Sequence, residues 1–431
     1  MLPTLDSDVR SALRSLHHPI TLFGEDPSDR RQRLQTLLDS GLSLPADNTV
    51  TASPSSSDDE EFFTPGPDDL YVARTIIADS SLLKAKQRIA EQRRQYLTVN
   101  PTDNLLLRRS YYADLKSKLQ LQGSQMVSNR FTSAVKFSPD DKLIAAASWD
   151  GGCYLFDSET LELHDEFKGL HSDKVSAVDW MPSGGMIATG GGDGRVVLTT
   201  LSAPVEPAAA KAPSTATSTT IFPSVSDSSP PGRITSLQFH PSSPLLASAS
   251  YDLTWRLFDV TKMTQLYYQE GHSKELTSLR IHPDGSLLAS AGLDAIARIW
   301  DLRTGRSIAT LQNNGHIKAI HAMDWRPNGY QLITGGSDNN LKVWDLRRSD
   351  SAATETLVAH SKVITGIKVA PNDKYMVTCG YDGYLNVMSC DNFVTLKRFK
   401  NVDKLMCCDV SGDSEKVIGG GWDRALKLWS C

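Results

Sequence analysis

From about residue 130 onward, short apolar runs alternate with polar turns, and one unit recurs along the chain. The segments IAAASWD, IATGGGDG, LASASYDL, LASAGLDA, ITGGSDN, VTCGYDG and VIGGGWDR each lead an apolar run into an aspartate, and a second short run follows. The aspartates, Asp150, Asp193, Asp252, Asp294, Asp338, Asp382 and Asp423, lie 41 to 44 residues apart, with a single interval of 59. Runs this short, bounded by Gly, Asp and Asn, are strands. A repeat of roughly 40–45 residues accommodates one four-stranded blade. Seven repeats therefore predict an all-β, seven-bladed β-propeller over residues 119–431. After Asp423 the segment ALKLWSC completes a third strand and leaves no fourth. The missing strand is expected from the N-terminal side of the ring, at Leu119 to Val127 (LQLQGSQMV), which closes the propeller without an open edge.

Ahead of the repeats the apolar period changes from two to 3.6. In DSDVRSALRSL, Val9, Ala12, Leu13 and Leu16 share one helical face. Asp26 as cap and Pro27 in the first turn open a second helix, with Leu34, Leu37 and Leu38 inward and Gly41 at its end. Residues 1–45 thus form a helical module too small to be very stable alone. Residues 46–70 are polar and acidic and read as a disordered tether. Within it Ser55, Ser56 and Ser57 precede DDEE, a setting that suits an acid-directed kinase, and Phe62 and Phe63 are candidate anchors. A basic helical segment, 71–118, follows. One helix is expected from Ser81 to about Leu97, with the stripe Leu82, Leu83, Ala85 and Ile89, and another from Pro101 to about Lys118, with Leu105, Leu106, Leu107, Tyr111, Tyr112 and Leu115. Inside the propeller, residues 202–232 are an insertion rich in Pro, Ala, Ser and Thr, which accounts for the long interval and is expected to be disordered. Blade two has Thr199 and Thr200 where other repeats end in Trp-Asp, so its outer strand has no clear position.

Four repeats carry a histidine 22 residues before the aspartate: His171, His272, His316 and His360. Six residues after it stand Phe156, Phe258, Trp300, Trp344, Met388 and Trp429, and a hydroxyl precedes it by four in Ser290 and Thr334. The pairs His171/Asp193, His272/Asp294, His316/Asp338 and His360/Asp382, extended by Trp300 and Trp344, predict a buried chain that satisfies polar groups within each blade. A pair repeated blade after blade is a fold device, not a catalytic dyad. The unit GHSKELTSLRIHPDGSLLASAGLDAIARIWD resembles the WD40 family, and the resemblance covers about residues 119–431.

Composition adds three limits. Hydrophobic residues are 40% of 431, ample for a large core. No apolar stretch reaches the roughly 18 residues of a membrane span, and MLPTLDSDVRSALR lacks the apolar centre of a secretory signal, so a soluble intracellular protein is expected. The six cysteines show no CxxC spacing, which predicts reduced thiols without zinc or disulfides. The net charge of −5 is unevenly spread: residues 51–70 hold six acids and no bases, whereas 71–122 hold ten Lys/Arg against four Asp/Glu. A basic block of this kind suits a phosphate backbone, with affinity falling steeply in salt.

The segment HHPITLFGEDPSDRRQRLQTLL resembles the splicing factor motif, and DDEEFFTPGP, SLLKAKQRIAEQRRQ, HSKELTSLRIHPDGSLLASAGLDAIARIWDLRTGR and PNGYQLITGGSDNNLKVWDLR agree with the same family. That family is the WD40 proteins of the U4/U6 small nuclear ribonucleoprotein (snRNP). The resemblance implies a non-enzymatic nuclear scaffold of the U4/U6 particle and the U4/U6.U5 tri-snRNP. Its implied partners are another U4/U6-specific protein, a nuclear cyclophilin, and the U4 and U6 RNAs. No cofactor, membrane or small-molecule substrate is implied, and the chain shows no nucleotide-binding loop, nucleophile and base pair, or metal cluster.

Propeller partners bind the face that bears the turn before the third strand. There the residues ahead of the aspartates include Trp149, Tyr251, Tyr381 and Trp422, of which Tyr381, Trp422 and Trp149 fall on neighbouring blades. The alternative is that each packs over its own blade. RNA or partner contacts are expected from Arg30, Arg31, Arg33, Lys84, Lys86, Arg88, Arg93, Arg94, Arg108 and Arg109. Two rival readings remain. Trp300-Asp301-Leu302-Arg303 and Trp344-Asp345-Leu346-Arg347 fit the WDxR signature of cullin ubiquitin ligase substrate receptors, and the basic helices alone would make a direct RNA-binding protein.

Overall fold

The computed structural model describes residues 6–16, 18–20, 27–39, 67–98, 100–201, 218–221, 232–348 and 352–431. The chain divides into two compact units, Met1–Phe63 and Thr64–Cys431. In the first unit α1 (Asp6–Ser15) packs on α2 (Pro27–Asp39). Val9, Leu13 and Leu34 are buried between them, and Ala12, Leu16, Leu37 and Leu38 complete the contact, as the 3.6 period requires. The expected cap Asp26, the stop Gly41, Ser55 to Ser57, Phe62 and Phe63 lie outside the described residues.

The second unit contains seven four-stranded antiparallel sheets, the predicted propeller. Six blades are consecutive strand quartets. The seventh takes Gln120–Met126 as its outer strand against Ala425–Ser430, from Gln120 opposite Ser430 to Met126 opposite Ala425. The ring is therefore closed by the strand expected from upstream, and no blade is left with an unpaired third strand. Blade two corrects the expectation for the insertion. Its outer strand, Ser218–Ile221, comes from within residues 202–232 and pairs with Val196–Thr200. The β-branched Thr219, Thr220 and Ile221 give that short piece the strand preference its low-complexity surroundings lack.

The innermost strands are buried on both faces because each blade is covered by its neighbours, as where Ala289 and Ile299 meet Ile320, Met323 and Trp325 of the next blade. At the penultimate position of each innermost strand stand, in blade order, Lys136, Asp179, Gln238, Arg280, Asp324, Lys368 and Asp409. They form a belt of alternating charge broken once by Gln238. Lys136 lies 4.0 Å from Asp179 and 3.8 Å from Asp409; Lys368 lies 3.9 Å from Asp324 and 3.8 Å from Asp409; Arg280 lies 3.9 Å from Asp324. Each acceptor also takes a backbone N–H from the following blade. Phe239 donates to Asp179 (2.7 Å), Ile281 to Gln238 (2.7 Å), Val369 to Asp324 (2.8 Å) and Phe137 to Asp409 (3.0 Å).

Two helices precede the ring, α3 (Asp68–Thr98) and α4 (Pro101–Lys118). The first starts well before the expected Ser81, with Asp68 and Asp69 in its first turn favouring the helix N-terminus. Leu70, Ala73, Ile77 and Ser81 are its buried residues, and the first three join Leu266, Tyr267 and Leu302 of blades three and four. This corrects the predicted stripe. Leu82, Leu83 and Ile89 are 59%, 58% and 43% exposed. The face turned to the propeller instead runs through Ile77 and Ser81 to Lys84 and Arg88, whose hydrogen bonds hold it there.

Candidate functional site

Four histidines are hydrogen-bonded to an aspartate and a hydroxyl of their own blade. In blade four Trp300 Nε1 donates to Ser290 Oγ (2.8 Å), Ser290 Oγ lies 2.7 Å from His272 Nε2, and His272 Nδ1 lies 2.8 Å from Asp294. Blade five repeats this with Trp344, Thr334, His316 and Asp338 at 2.9, 2.8 and 2.8 Å. In blades two and six the chain ends at the hydroxyl: His171 joins Thr189 to Asp193, and His360 joins Thr378 to Asp382. Three blades have no such histidine, and their aspartates use the residue four positions on. Tyr154 donates to Asp150, Arg256 to Asp252 and Lys427 pairs with Asp423. That spacing along the third strand was readable in the sequence and was missed.

Burial alone would raise the carboxyls of Asp193, Asp294, Asp338 and Asp382, but the histidine and backbone hydrogen bonds outweigh it, so all four lie below the ordinary range. A depressed folded-state pKa contributes stability above the unfolded value of about 3.9, lost as pH falls through the folded values. The melting temperature is therefore expected to show no loss from these four groups between pH 7 and 5 and to fall steeply below about pH 4. Asp294→Asn should flatten that fall in a thermal-melting series; an unchanged profile would remove the networks from the acid response.

Three of the aromatic residues ahead of the aspartates, Trp149, Tyr381 and Trp422, lie in one cluster with Phe131, which sequence reasoning missed. Phe131 stacks on Trp422 (4.8 Å between centroids, 16° between planes) and meets Trp149 edge-on at 5.5 Å. Tyr381 meets Trp422 edge-on at 6.5 Å. Cations sit over the rings: Lys174 over Trp149 (4.6 Å), Lys404 over Trp422 (4.2 Å) and Arg233 over Tyr251 (5.6 Å). Trp149, Tyr251, Tyr381, Arg233 and His321 line a cavity of about 310 Å³. Trp149, Tyr381 and Trp422 are half-buried, so each both packs on its neighbours and presents an edge to solvent. Phe131 could have been found as the residue that begins blade one beside Trp149.

The basic candidates divide. In the first unit Arg30 is buried and Arg33 donates to Pro19 and Ile20 carbonyls, while Arg31 is exposed. On α3, Lys84 donates to Pro241 O (3.0 Å), and Arg88 pairs with Asp284 (2.7 Å) and donates to Asn328 O. On α4, Arg108 pairs with Asp391, which also accepts from Tyr112. Burial, then that hydrogen bond, pushes the Tyr112 hydroxyl up to about 12. Lys84, Arg88 and Arg108 thus attach the helices to the turns between first and second, or third and fourth, strands, the face opposite the aromatic patch. Lys86, Arg93, Arg94 and Arg109 remain exposed. This division is not legible from residue order, because it depends on which way α3 is rotated.

Both WDxR arginines are bound within their own motif. Arg303 donates to both oxygens of Asp301 (3.0 and 3.1 Å), and Arg347 to both of Asp345 (3.0 and 2.6 Å) while lying over Tyr330. The described residues contain no cluster able to hold a metal ion and no helix long and apolar enough to cross a membrane, and all six cysteines are free thiols.

A family model described as the IFT122 first beta-propeller matches residues 132–430, and one described as pre-mRNA processing factor 4 (PRP4) like matches residues 9–37. The chain is 33% identical over 289 residues to the U4/U6 small nuclear ribonucleoprotein PRP4 of Saccharomyces cerevisiae, covering 63% of this chain and 56% of that protein. It is 33% identical over 184 residues to the Homo sapiens U4/U6 small nuclear ribonucleoprotein Prp4, covering 42% and 35%. To an uncharacterized WD repeat-containing protein of Schizosaccharomyces pombe it is 37% identical over 183 residues, covering 42% and 39%. The matched stretches thus span between a third and just over half of these relatives. By the propeller model that matches well over half of its length, the chain belongs to the WD40 β-propeller family, with a PRP4-like motif ahead of the propeller and homologues among the U4/U6 small nuclear ribonucleoprotein PRP4 proteins.

Proposed function

We propose that this protein is a non-enzymatic nuclear scaffold of the U4/U6 snRNP and its tri-snRNP in pre-mRNA splicing, which grips another U4/U6-specific protein on its aromatic face. The observation that carries the reading is the pairing of a PRP4-like motif with a propeller that presents Trp149, Trp422, Tyr381 and Phe131 as one cluster. Half-buried aromatics on a rigid ring, rimmed by Lys174, Lys404 and Arg233, have the composition of a protein-binding hot spot. The small two-helix module supports a separate contact, for which a nuclear cyclophilin is the candidate. The U4 and U6 RNAs complete the partner set, approached through Lys86, Arg93, Arg94 and Arg109 or through bound protein.

The test is affinity purification of the full chain from nuclear extract, with RNA and protein identified before and after ribonuclease. Recovery of U4 and U6 RNAs, with partner proteins persisting after digestion, is the expected result. A cullin ligase adaptor in their place, released by Arg303→Ala with Arg347→Ala, would overturn it.

A further inference from the structure

The mouth of the central channel, on the side of the aromatic cluster, carries an excess of positive charge. The two residues ahead of each innermost strand include one Lys or Arg in all seven blades, from Arg130 in blade one to Lys404 in blade seven, against three acids, Asp173, Glu275 and Asp403. Three of these cations, Lys404, Lys174 and Arg233, stand on blades seven, two and three, an arc that runs past Trp149 of blade one. Each lies over an aromatic ring, and none pairs with a carboxylate among the described residues. Asp403 is spent on the Lys404 amide (2.8 Å). Arg233 Nε donates to Ser176 Oγ (3.2 Å), and its two terminal nitrogens have no hydrogen-bond partner among the described residues.

Below this rim, the second residue of each innermost strand lines the cavity of about 310 Å³. Four hydroxyls there already donate to backbone carbonyls: Ser133 to Val175 (2.6 Å), Thr235 to Ala249 (3.2 Å), Thr277 to Ala291 (3.1 Å) and Thr365 to Leu405 (2.9 Å). Burial pulls the His321 imidazole below its ordinary range, which favours its neutral form. The wall is therefore neutral and its protons are committed, while the rim is cationic and its donors are open.

We propose that this mouth receives an acidic side chain, carboxylate or phosphate, of the partner protein docked on the aromatic face. The inference rests on that docking and names the chemistry of the group inserted. Open guanidinium and ammonium donors around a hollow sheltered from bulk water favour an anion. The volume of about 310 Å³ suits a side chain and not a helix, which is about 10 Å across. A cationic side chain fits worse, because the ring faces that would attract it already carry Lys174, Arg233 and Lys404. RNA also fits worse. Its bases stack on open ring faces, and Trp422 lies between Phe131 and Lys404 while Trp149 lies under Lys174.

The test uses the full chain and a capped, rhodamine-labelled heptapeptide with Asp, Glu and Asp at its centre, beside twins with Asn, Gln and Asn or with a single phosphoserine there. Anisotropy should show the acidic or the phosphorylated peptide binding at least about ten-fold tighter than the neutral one, and whichever is tighter identifies the source of the anion. Lys174→Gln with Arg233→Gln should lose at least about ten-fold, and Lys404→Gln alone should lose less, which keeps a reading should the double variant melt early. Lys142→Gln with Lys262→Gln, on the opposite face, removes the same charge and should change nothing. Equal affinity for the three peptides, or an equal loss in the opposite-face variant, overturns the proposal. So does tighter binding of an octanucleotide of uridine that the Lys174 and Arg233 variant abolishes, which would assign the mouth to RNA. Recovery of the partner from nuclear extract separates the two readings. If Trp149→Ala with Trp422→Ala loses the partner but the peptides bind alike, this inference alone falls; if that variant keeps the partner, the docking falls and the inference with it.

Discussion

Replacing Asp409 by alanine is expected to destabilise the propeller by about 2–4 kcal/mol, among the largest effects of any single polar substitution in the ring. Its carboxylate is 5% exposed and faces two ammonium groups, Lys136 and Lys368, each at 3.8 Å, while accepting the Phe137 amide of blade one. Truncation leaves two channel-lining cations without a shared counter-charge and an amide without an acceptor at the junction where the ring closes. The belt already strains its members: burial pulls Lys136 down and pushes Asp179 up, whereas Asp324 lifts Lys368. The lysines retain 16% and 25% exposure, which is why the expected loss extends below the roughly 3–5 kcal/mol of fully buried broken pairs. Asp409→Asn keeps the amide acceptor and removes only the charge, so it should lose about half as much. Thermal and denaturant unfolding of the two variants separates these contributions. Equal stability of parent and alanine variant would show that the belt is incidental.

The second large effect is on binding. Trp149→Ala combined with Trp422→Ala should weaken the U4/U6 protein recovered in purification by at least about 100-fold, since two central aromatic anchors at ~2 kcal/mol each are removed. Trp422 lies between Phe131 and Lys404, and Trp149 lies under Lys174, so both losses fall in one cluster. Titration calorimetry with that protein reads the affinity. The melting temperature of the variant shows whether the ring is intact. Tyr251→Ala, on the far side of the cavity mouth, should cost less. Unfolding of the double variant would assign these residues to blade packing instead.

The blades were legible because a propeller repeats its chemistry. The Asp spacing, the histidines and the closing strand all followed from period and polarity, and so did the two-helix module, whose apolar positions are the ones buried. What escaped is what a single repeat does not encode. The belt requires reading one position across seven repeats at once, where a lone Lys136 or Asp179 is an ordinary strand residue. The rotation of α3 was misread because the helix is apolar on two sides, and Leu82, Leu83 and Ile89 look like a core stripe until Ile77 and Arg88 are seen to take that place. Blade two's outer strand escaped because a four-residue β-branched run inside a Ser/Thr-rich insertion is too short to stand out.

The most direct test of the scaffold reading is cross-linking mass spectrometry on the particle purified through this chain, following Lys174, Lys362 and Lys404. These residues lie in the loops on the patch side of the ring. The account predicts cross-links from them to one U4/U6-specific protein, lost with Trp149→Ala and Trp422→Ala. Cross-links to that protein from the α3 and α4 side alone, with these three lysines silent, would contradict it.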